Sequence, residues 1–147
     1  MSRAARRYTA GFSLMELMIA VAIVAVLAAI ATEAYGRYVV SGKLSESFAI
    51  LGDYRLKMEQ FKQDNRSYAD PQNTNTCGVT PPAANKYFIF GCAIAASGAQ
   101  FTATASNQAG TGMGNAGDYS YTINQDGVQN TVTFAGTTGP AGIWKNR

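Results

Sequence analysis

Apolar side chains run almost without interruption from Phe12 to Ala31, and a single carboxylate, Glu16, lies near the start of this run. About 20 apolar residues make roughly 30 Å of helix, which is long enough to cross the hydrocarbon core of a bilayer. A charge at the centre of such a segment costs on the order of 2.5–3.5 kcal/mol on insertion scales, so it marks a candidate functional residue. The pattern therefore predicts a membrane-spanning helix in which Glu16 is the chemically distinctive position.

The pattern changes after Ser41, where apolar residues recur every three or four positions. This spacing is typical of one face of an amphipathic helix, with charged residues on the other faces. No proline interrupts residues 12–70, so we expect one helix of about 50 residues that ends at about residue 63, before Asp64-Asn65-Arg66-Ser67. We expect the apolar stripe to pack against the chain's own domain. It consists of Leu44, Phe48, Leu51, Tyr54, Met58 and Phe61.

Strand signals follow a loop over residues 69–85. The predicted strands are Lys86–Ala95, Gln100–Ala105, Asp118–Asn124 and Val128–Phe134. Asp126-Gly127 lies between the last two and is a strong hairpin signal. These elements predict an α+β fold, with a small antiparallel sheet of three or four strands laid against the amphipathic helix. The glycines of residues 110–117 follow no strand-then-helix pattern, which argues against a phosphate-binding loop.

Composition and charge limit the possible functions. The chain has 147 residues, which leaves room for one small domain beyond the apolar segment. Its net charge is +3, but Arg3, Arg6 and Arg7 supply the excess, and beyond Gly11 basic and acidic side chains are equal in number. Bulk charge thus gives no support for general nucleic-acid binding. The sequence has no histidine, no nucleophile motif and no paired carboxylates, so we expect neither an enzyme nor a cofactor.

The two cysteines are Cys77 and Cys92. Two thiols without a histidine make a poor zinc site, so we expect no metal. Two free buried thiols remain one interpretation. If the apolar segment exports the domain, a disulfide is favoured, and closing about 16 residues would stabilise the fold by roughly 3 kcal/mol.

The run Gly11-Phe12-Ser13-Leu14-Met15-Glu16-Leu17-Met18-Ile19 resembles the prepilin processing motif of type IV pilins. The likeness continues to Val39, and Tyr54–Ala69 is similar to the end of the long helix in pilins of the type IVa group. The resemblance implies that a prepilin peptidase cuts after Gly11 and that the new N-terminus, Phe12, is N-methylated. It also implies that Glu16 pairs with the terminal amine of an adjacent subunit and so guides assembly.

The same resemblance implies the organisation and the cellular route of the protein. Residues 1–11 would be a leader peptide, residues 12–35 a transmembrane and filament-core helix, and residues 36–147 a globular pilin domain. In the pilin fold the hydrophobic half of the helix protrudes. The protein would cross the inner membrane once, and the assembly machinery there would polymerise it into a homo-oligomeric or mixed pilus on the cell surface. Adhesion, twitching motility and DNA uptake are the functions implied.

One position departs from the family. Glu33 stands where these pilins usually have a proline that is associated with a bend or a locally melted helix. A break in this chain would have to come from Gly36 or not occur. Glu33 itself is either a solvated charge at the membrane interface or a partner for a basic residue on a neighbouring subunit.

Three alternatives remain at this point. A type II secretion pseudopilin shares this N-terminus, but its calcium loops cluster acidic residues, whereas only Asp118 and Asp126 follow the long loop here. An ordinary signal peptide would be cut after Ala29-Ile30-Ala31 and would leave Thr32 as the first residue, although Glu16 argues against it. A minor pilin for DNA uptake would need a basic, aromatic strip. After residue 70 the cationic side chains are Lys86, Lys145 and Arg147.

Overall fold

The structure, a computed structural model, describes residues 11–147. Of the leader predicted over residues 1–11, only Gly11 falls in this range, and residues 1–10 lie outside it. One helix, α1, spans Leu14–Asn65, a length of 52 residues. The chain divides into two compact units between Arg37 and Tyr38. α1 is a single helix through Glu33 and Gly36, so the described chain has no break where the family proline is missing.

The end of α1 is set by Arg66, which takes the left-handed conformation with a φ of 59°. Its backbone N–H still donates to the Lys62 carbonyl at 2.7 Å, which closes the last turn. A left-handed residue directly after a helix is a common stop signal, although glycine is usually found there. The helix thus ends at Asn65, two residues beyond the predicted residue 63.

The second unit contains an antiparallel sheet of five strands in the order β1-β2-β3-β4-β5. The strands are β1 Phe88–Ala95, β2 Gln100–Asn107, β3 Ser120–Asn124, β4 Gln129–Phe134 and β5 Thr137–Thr138, and a short 3-10 turn, Ala96–Gly98, joins β1 to β2. The predicted sheet of three or four strands is therefore too small, because β5 was missed. The α+β class and the hairpin at Asp126-Gly127 are confirmed.

The start of β1 differs from the prediction by two residues. The side-chain oxygen of Asn85 accepts hydrogen bonds from the backbone N–H groups of Tyr87 and Phe88, at 2.9 and 2.7 Å. These bonds hold the chain in a turn, so Lys86 and Tyr87 precede the strand. β2 extends two residues beyond its predicted end at Ala105, to Asn107, which pairs with Phe88.

The core lies between α1 and one face of the sheet. From α1 it takes Leu44, Leu51, Tyr54 and Met58 of the predicted stripe, all fully buried, while Phe48 and Phe61 are half-buried. The strands contribute alternate residues, as expected for a sheet with one buried face. Ala103 and Ala105, the small members of the buried set, lie on β2. The buried strand residues are Phe88, Phe90, Phe101, Ala103, Ala105, Tyr121 and Ile123.

The C-terminal tail belongs to this core. The ring of Trp144 stacks on Phe48 with the centroids 4.8 Å apart, and its indole N–H donates to the Thr122 carbonyl at 2.9 Å. The hydroxyl of Tyr121 donates to the Lys145 carbonyl at 2.8 Å. The tail therefore covers the half-buried Phe48 of the helix stripe.

The glycine-rich loop before β3 is organised by Asn107, a buried side chain. Its amide donates to the Asn115 carbonyl at 2.8 Å, and its oxygen accepts from the Tyr119 N–H at 2.8 Å. This arrangement inserts Met113 into the core. The loop is thus a structural connection that fills the core.

Candidate functional site

The first candidate site is the segment around the predicted cleavage point. Residues Gly11–Ser13 precede α1 and are exposed. The first helical bond runs from the Leu17 N–H to the Ser13 carbonyl at 3.1 Å, which puts Glu16 in the first turn. A carboxylate is stabilised there by the partial positive charge of the helix N-terminus. The peptide bond after Gly11 is therefore accessible outside the helix, and Glu16 lies about one turn from Phe12.

The fold itself does not require glycine at position 11. A Cβ added at Gly11 would meet no atom of the described residues within 4 Å. Its φ also lies outside the positive range that favours glycine. Any requirement for glycine at this position therefore comes from a molecule that binds this segment and not from the fold of the described residues.

The surface of the first unit from Phe12 to Ile30 is apolar and uncovered. Its large side chains from Phe12 to Ile30 are 56–79 % exposed. By length and composition, α1 contains a window that can cross a membrane, and none of that window is buried. Exposed apolar patches of this extent mark a membrane or protein contact, because water solvates them poorly.

Three side chains carry charge in this part of α1: Glu16, Glu33 and Arg37. All three are exposed, and none forms an ion pair with another described residue. Glu33 and Arg37 are spaced i, i+4 and so lie on one face of the helix. Residues 17–32 between the two carboxylates have no charged side chain.

The second candidate site is the loop held by the disulfide, where Cys77 and Cys92 are joined. The bond ties the loop after α1 to β1, and Cys77 also forms an isolated bridge with Ala69. Further along the loop, the Tyr54 hydroxyl donates to the Val79 carbonyl at 2.7 Å. The expectation of a disulfide over two free thiols is confirmed. Among residues 11–147, no three metal-ligating side chains lie close enough together to hold an ion.

A polar cluster joins the last turns of α1 to the same loop. The Tyr68 hydroxyl donates to a Glu59 carboxylate oxygen at 2.7 Å and accepts a bond from the Lys62 ammonium at 3.3 Å. Burial raises the pKa of Tyr68 to about 12, and the hydrogen bond to Glu59 adds to this effect. The cluster therefore fixes the loop while Tyr68 stays protonated at neutral pH.

A pair of lysines that share one aromatic ring was not evident from the sequence. Lys43 of α1 and Lys86 both lie over the ring of Tyr87, with the ammonium nitrogens 4.8 and 5.5 Å from its centroid. Lys43 also donates to the Thr111 carbonyl at 2.8 Å. We call these three residues, Lys43, Lys86 and Tyr87, the basic–aromatic patch. Counting cations after residue 70 misses it, because Lys43 comes from the helix.

Comparison with known families relates this architecture to a function. Residues 6–32 match the prokaryotic N-terminal methylation motif, and residues 34–120 match the family described as "Type IV minor pilin ComP, DNA uptake sequence receptor". The second match covers more than half of the chain. The chain belongs to this type IV pilin family.

Individual pilins are similar over part of the chain. A fimbrial protein of Moraxella nonliquefaciens is 39% identical over 69 residues, which is 47% of this chain and 45% of the relative. Fimbrial protein EcpC of Eikenella corrodens is 33% identical over 95 residues, 65% and 60% of the two chains. The type IV major pilin protein PilE1 of Neisseria gonorrhoeae is 32% identical over 75 residues, 51% and 44%. The chain spans about half the length of the curated relatives it matches. No solved structure is a significant match.

In this pilin the predicted site residues fall in two separate places. Gly11, Phe12 and Glu16 lie together at the start of the first unit, whereas Cys77 and Cys92 belong to the second unit. Sequence reasoning missed the basic–aromatic patch and the Glu59–Tyr68 contact. Both pair a helix residue with a residue outside the helix, and no periodic pattern along the chain signals such a contact.

Proposed function

We propose that this chain is a structural subunit of a type IV pilus. It is inserted in the inner membrane as a precursor, cut after Gly11, N-methylated at Phe12 and polymerised into a cell-surface filament. The observation that carries the proposal is the exposed apolar surface of the first unit, which contains one carboxylate near its start and lies in the methylation-motif match. A lipid bilayer covers that surface before assembly, and neighbouring pilins cover it afterwards.

Processing by a prepilin peptidase is supported by the geometry around Gly11. The residues on either side of the scissile bond, Gly11 and Phe12, are exposed and lie outside the helix. Because the fold does not require glycine there, recognition by the peptidase is the simplest explanation for glycine at this position. A residue without a side chain lets an enzyme approach the backbone closely.

Assembly is driven by burying the apolar surface and by neutralising Glu16. An unpaired carboxylate is costly in an apolar environment, and so is an unpaired amine. Cleavage creates the α-amine of Phe12, and pairing it with Glu16 of a neighbouring copy offsets both costs. A copy therefore docks favourably only at the stagger that brings the two groups together, so the pair selects the register of the filament.

The test is the substitution Glu16→Gln, which keeps the shape of the side chain and removes its charge. Glu46→Gln is the matched control, because Glu46 is exposed. Its carboxylate accepts one hydrogen bond from the side-chain amide of Asn85, and the side-chain oxygen of glutamine can accept the same bond. We expect Glu16→Gln to leave the precursor inserted and cleaved while its incorporation into purified filaments falls by about tenfold or more, as for a lost desolvated charge pair. Glu46→Gln should assemble normally. Normal incorporation of Glu16→Gln would contradict the proposed role.

DNA binding is a second candidate function, favoured by the family match and by the basic–aromatic patch. Two ammonium groups beside one aromatic ring suit a nucleic acid, because cations bind phosphates and the ring can stack on a base. Lys43 also contacts the glycine-rich loop through Thr111, so the patch sits on ordered backbone.

Anisotropy of a labelled duplex with the detergent-solubilised full chain tests this candidate. We expect Lys43→Ala and Lys86→Ala each to weaken binding and to lower the salt slope by about one. Lys57→Ala is the control, since Lys57 lies elsewhere on α1 and pairs with Asp53 at 2.8 Å. Equal binding by the patch variants and the control would contradict a DNA site at this patch.

A further inference from the structure

Two further charges on the exposed helix have no partner among the described residues. Glu33 and Arg37 stand at the end of the apolar surface, and both side chains are exposed. The single ion pair of the described chain joins Lys57 to Asp53. After cleavage, the segment from Phe12 to Arg37 would carry two positive groups, the Phe12 amine and Arg37, and two negative groups, Glu16 and Glu33.

The spacing of these four groups follows one rule. Phe12 and Glu16 are four residues apart, as are Glu33 and Arg37. If a second copy packs in parallel and is shifted by four residues, about 6 Å, its amine lies level with Glu16 of the first copy. The same shift brings its Glu33 level with Arg37 of the first copy. One stagger therefore satisfies both pairs, whereas unshifted copies would place like charges side by side.

The positions also agree around the helix axis. Phe12 and Glu33 are 21 residues apart, and so are Glu16 and Arg37. A separation of 21 residues is three heptads. When parallel helices pack with a left-handed crossing, residues three heptads apart face the same neighbour, so Glu33 lies on the face of Phe12 and Arg37 on the face of Glu16. A straight helix would drift by about 60° over this length. α1 begins at Leu14, two residues after Phe12, and has no break from there through Glu16 and Glu33 to Arg37, so the helical repeat is preserved from Glu16 to Arg37.

We propose that Glu33 and Arg37 form a second register pair between two copies of this chain in the assembled filament. The copy whose Phe12 amine meets Glu16 of its neighbour also presents its Glu33 to the neighbour's Arg37. The occupant of this helix face is thus a parallel second copy, shifted by four residues. The inference rests on the proposed function as a filament subunit and adds the stagger, the partner residues and a reason for glutamate at position 33.

Charge reversal with co-expression tests the pairing. Glu33→Arg alone and Arg37→Glu alone each place like charges in register, and we expect filament yield to fall by about tenfold or more. When the two variants are co-expressed, alternating copies restore opposite charges, and yield should recover. If Glu33 instead paired with Arg37 of the same chain, co-expression would not restore the filament yield, because each variant chain would still carry two like charges at positions 33 and 37. The double variant, Glu33→Arg with Arg37→Glu, should assemble and so shows that both positions tolerate either side chain.

Disulfide trapping in intact filaments tests the stagger directly. The two native cysteines are already bonded to each other, so an introduced cysteine is the one added thiol of each chain. Co-expressed Glu33→Cys and Arg37→Cys chains should give a mixed dimer on mild oxidation, while either variant alone should give none. Dimers of one variant alone, a bond to a different protein, or filaments without the mixed dimer would each overturn the register pair. Failure of the unaltered chain to enter filaments would instead overturn the proposed function.

Discussion

The hydroxyl of Tyr68 donates a 2.7 Å hydrogen bond to the carboxylate of Glu59, and this contact joins the last turns of α1 to the loop that follows. The Tyr68 ring also packs against Phe101 with the centroids 4.8 Å apart. Backbone bonds from the Tyr68 N–H to the Gly98 carbonyl and from the Gly78 N–H to the Tyr68 carbonyl, both 2.8 Å, extend the connection. Tyr68 therefore links the helix to the disulfide loop and to the sheet, in addition to the disulfide and the Tyr54–Val79 bond.

The free energy of unfolding at alkaline pH should depend on the protonation of Tyr68 and of Tyr54, which is also buried. Burial raises the pKa of Tyr68 to about 12 and that of Tyr54 to about 12, whereas the pKa of an unfolded tyrosine is about 10. The unfolded state therefore loses these protons first, so the stabilisation is fully present below about pH 10 and is lost as the pH rises through about 12. Urea unfolding of the detergent-solubilised chain across this range should show a falling free energy of unfolding.

The substitution Tyr68→Phe separates the contribution of this residue. It should cost about 1 kcal/mol at neutral pH for the lost hydrogen bond and make the alkaline decline shallower, because one titrating group is removed. An unchanged slope would mean that Tyr68 does not titrate as described.

The disulfide should stabilise the globular unit without affecting processing. Cys77→Ser is expected to lower the free energy of unfolding by roughly 3 kcal/mol in the chain-entropy model. The double variant, with Cys92→Ser as well, should cost about the same, since both changes remove the same covalent loop. Thermal unfolding measures the loss, and the mass of the mature chain checks that cleavage still occurs after Gly11. A blocked cleavage, or no loss of stability, would contradict this separation of the two sites.

The sequence predicts those parts of the fold that have a local period. Leu44, Leu51, Tyr54 and Met58 follow the helical repeat, and each is buried as expected. Asp126-Gly127 identifies its hairpin because an Asp-Gly turn has its own backbone preference. Likewise, Glu16 is conspicuous because a charge is rare in an apolar run.

The missed features are either too short to show a pattern or depend on contacts between distant residues. β5 has only two residues, Thr137–Thr138, and exists because it pairs with the end of β4. Met113 and Trp144 enter the core from a loop and a tail that have no period. Lys43 and Lys86 meet over Tyr87 because the helix packs beside the start of β1, and no spacing along the chain indicates this.

The end of α1 offers a stabilising substitution. Arg66 has a φ of 59°, which glycine adopts without the steric cost that other residues meet. Arg66→Gly should therefore raise the free energy of unfolding by about 0.5–1 kcal/mol. Arg66 is exposed, so little packing is lost. The midpoint of urea unfolding measures the change, and Arg66→Ala is the matched control, which should give no gain. A gain in the alanine variant as well would show that the left-handed backbone is not the cause.

The central claim is that a newly created amine at Phe12 neutralises a carboxylate in an apolar helix. Intact-mass and N-terminal fragment analysis of the chain recovered from purified filaments tests it most directly. The account predicts a mature chain that begins at Phe12 with a methylated amine. A mature chain that begins at Thr32, or at any residue other than Phe12, would contradict it, because the partner of Glu16 would then not exist.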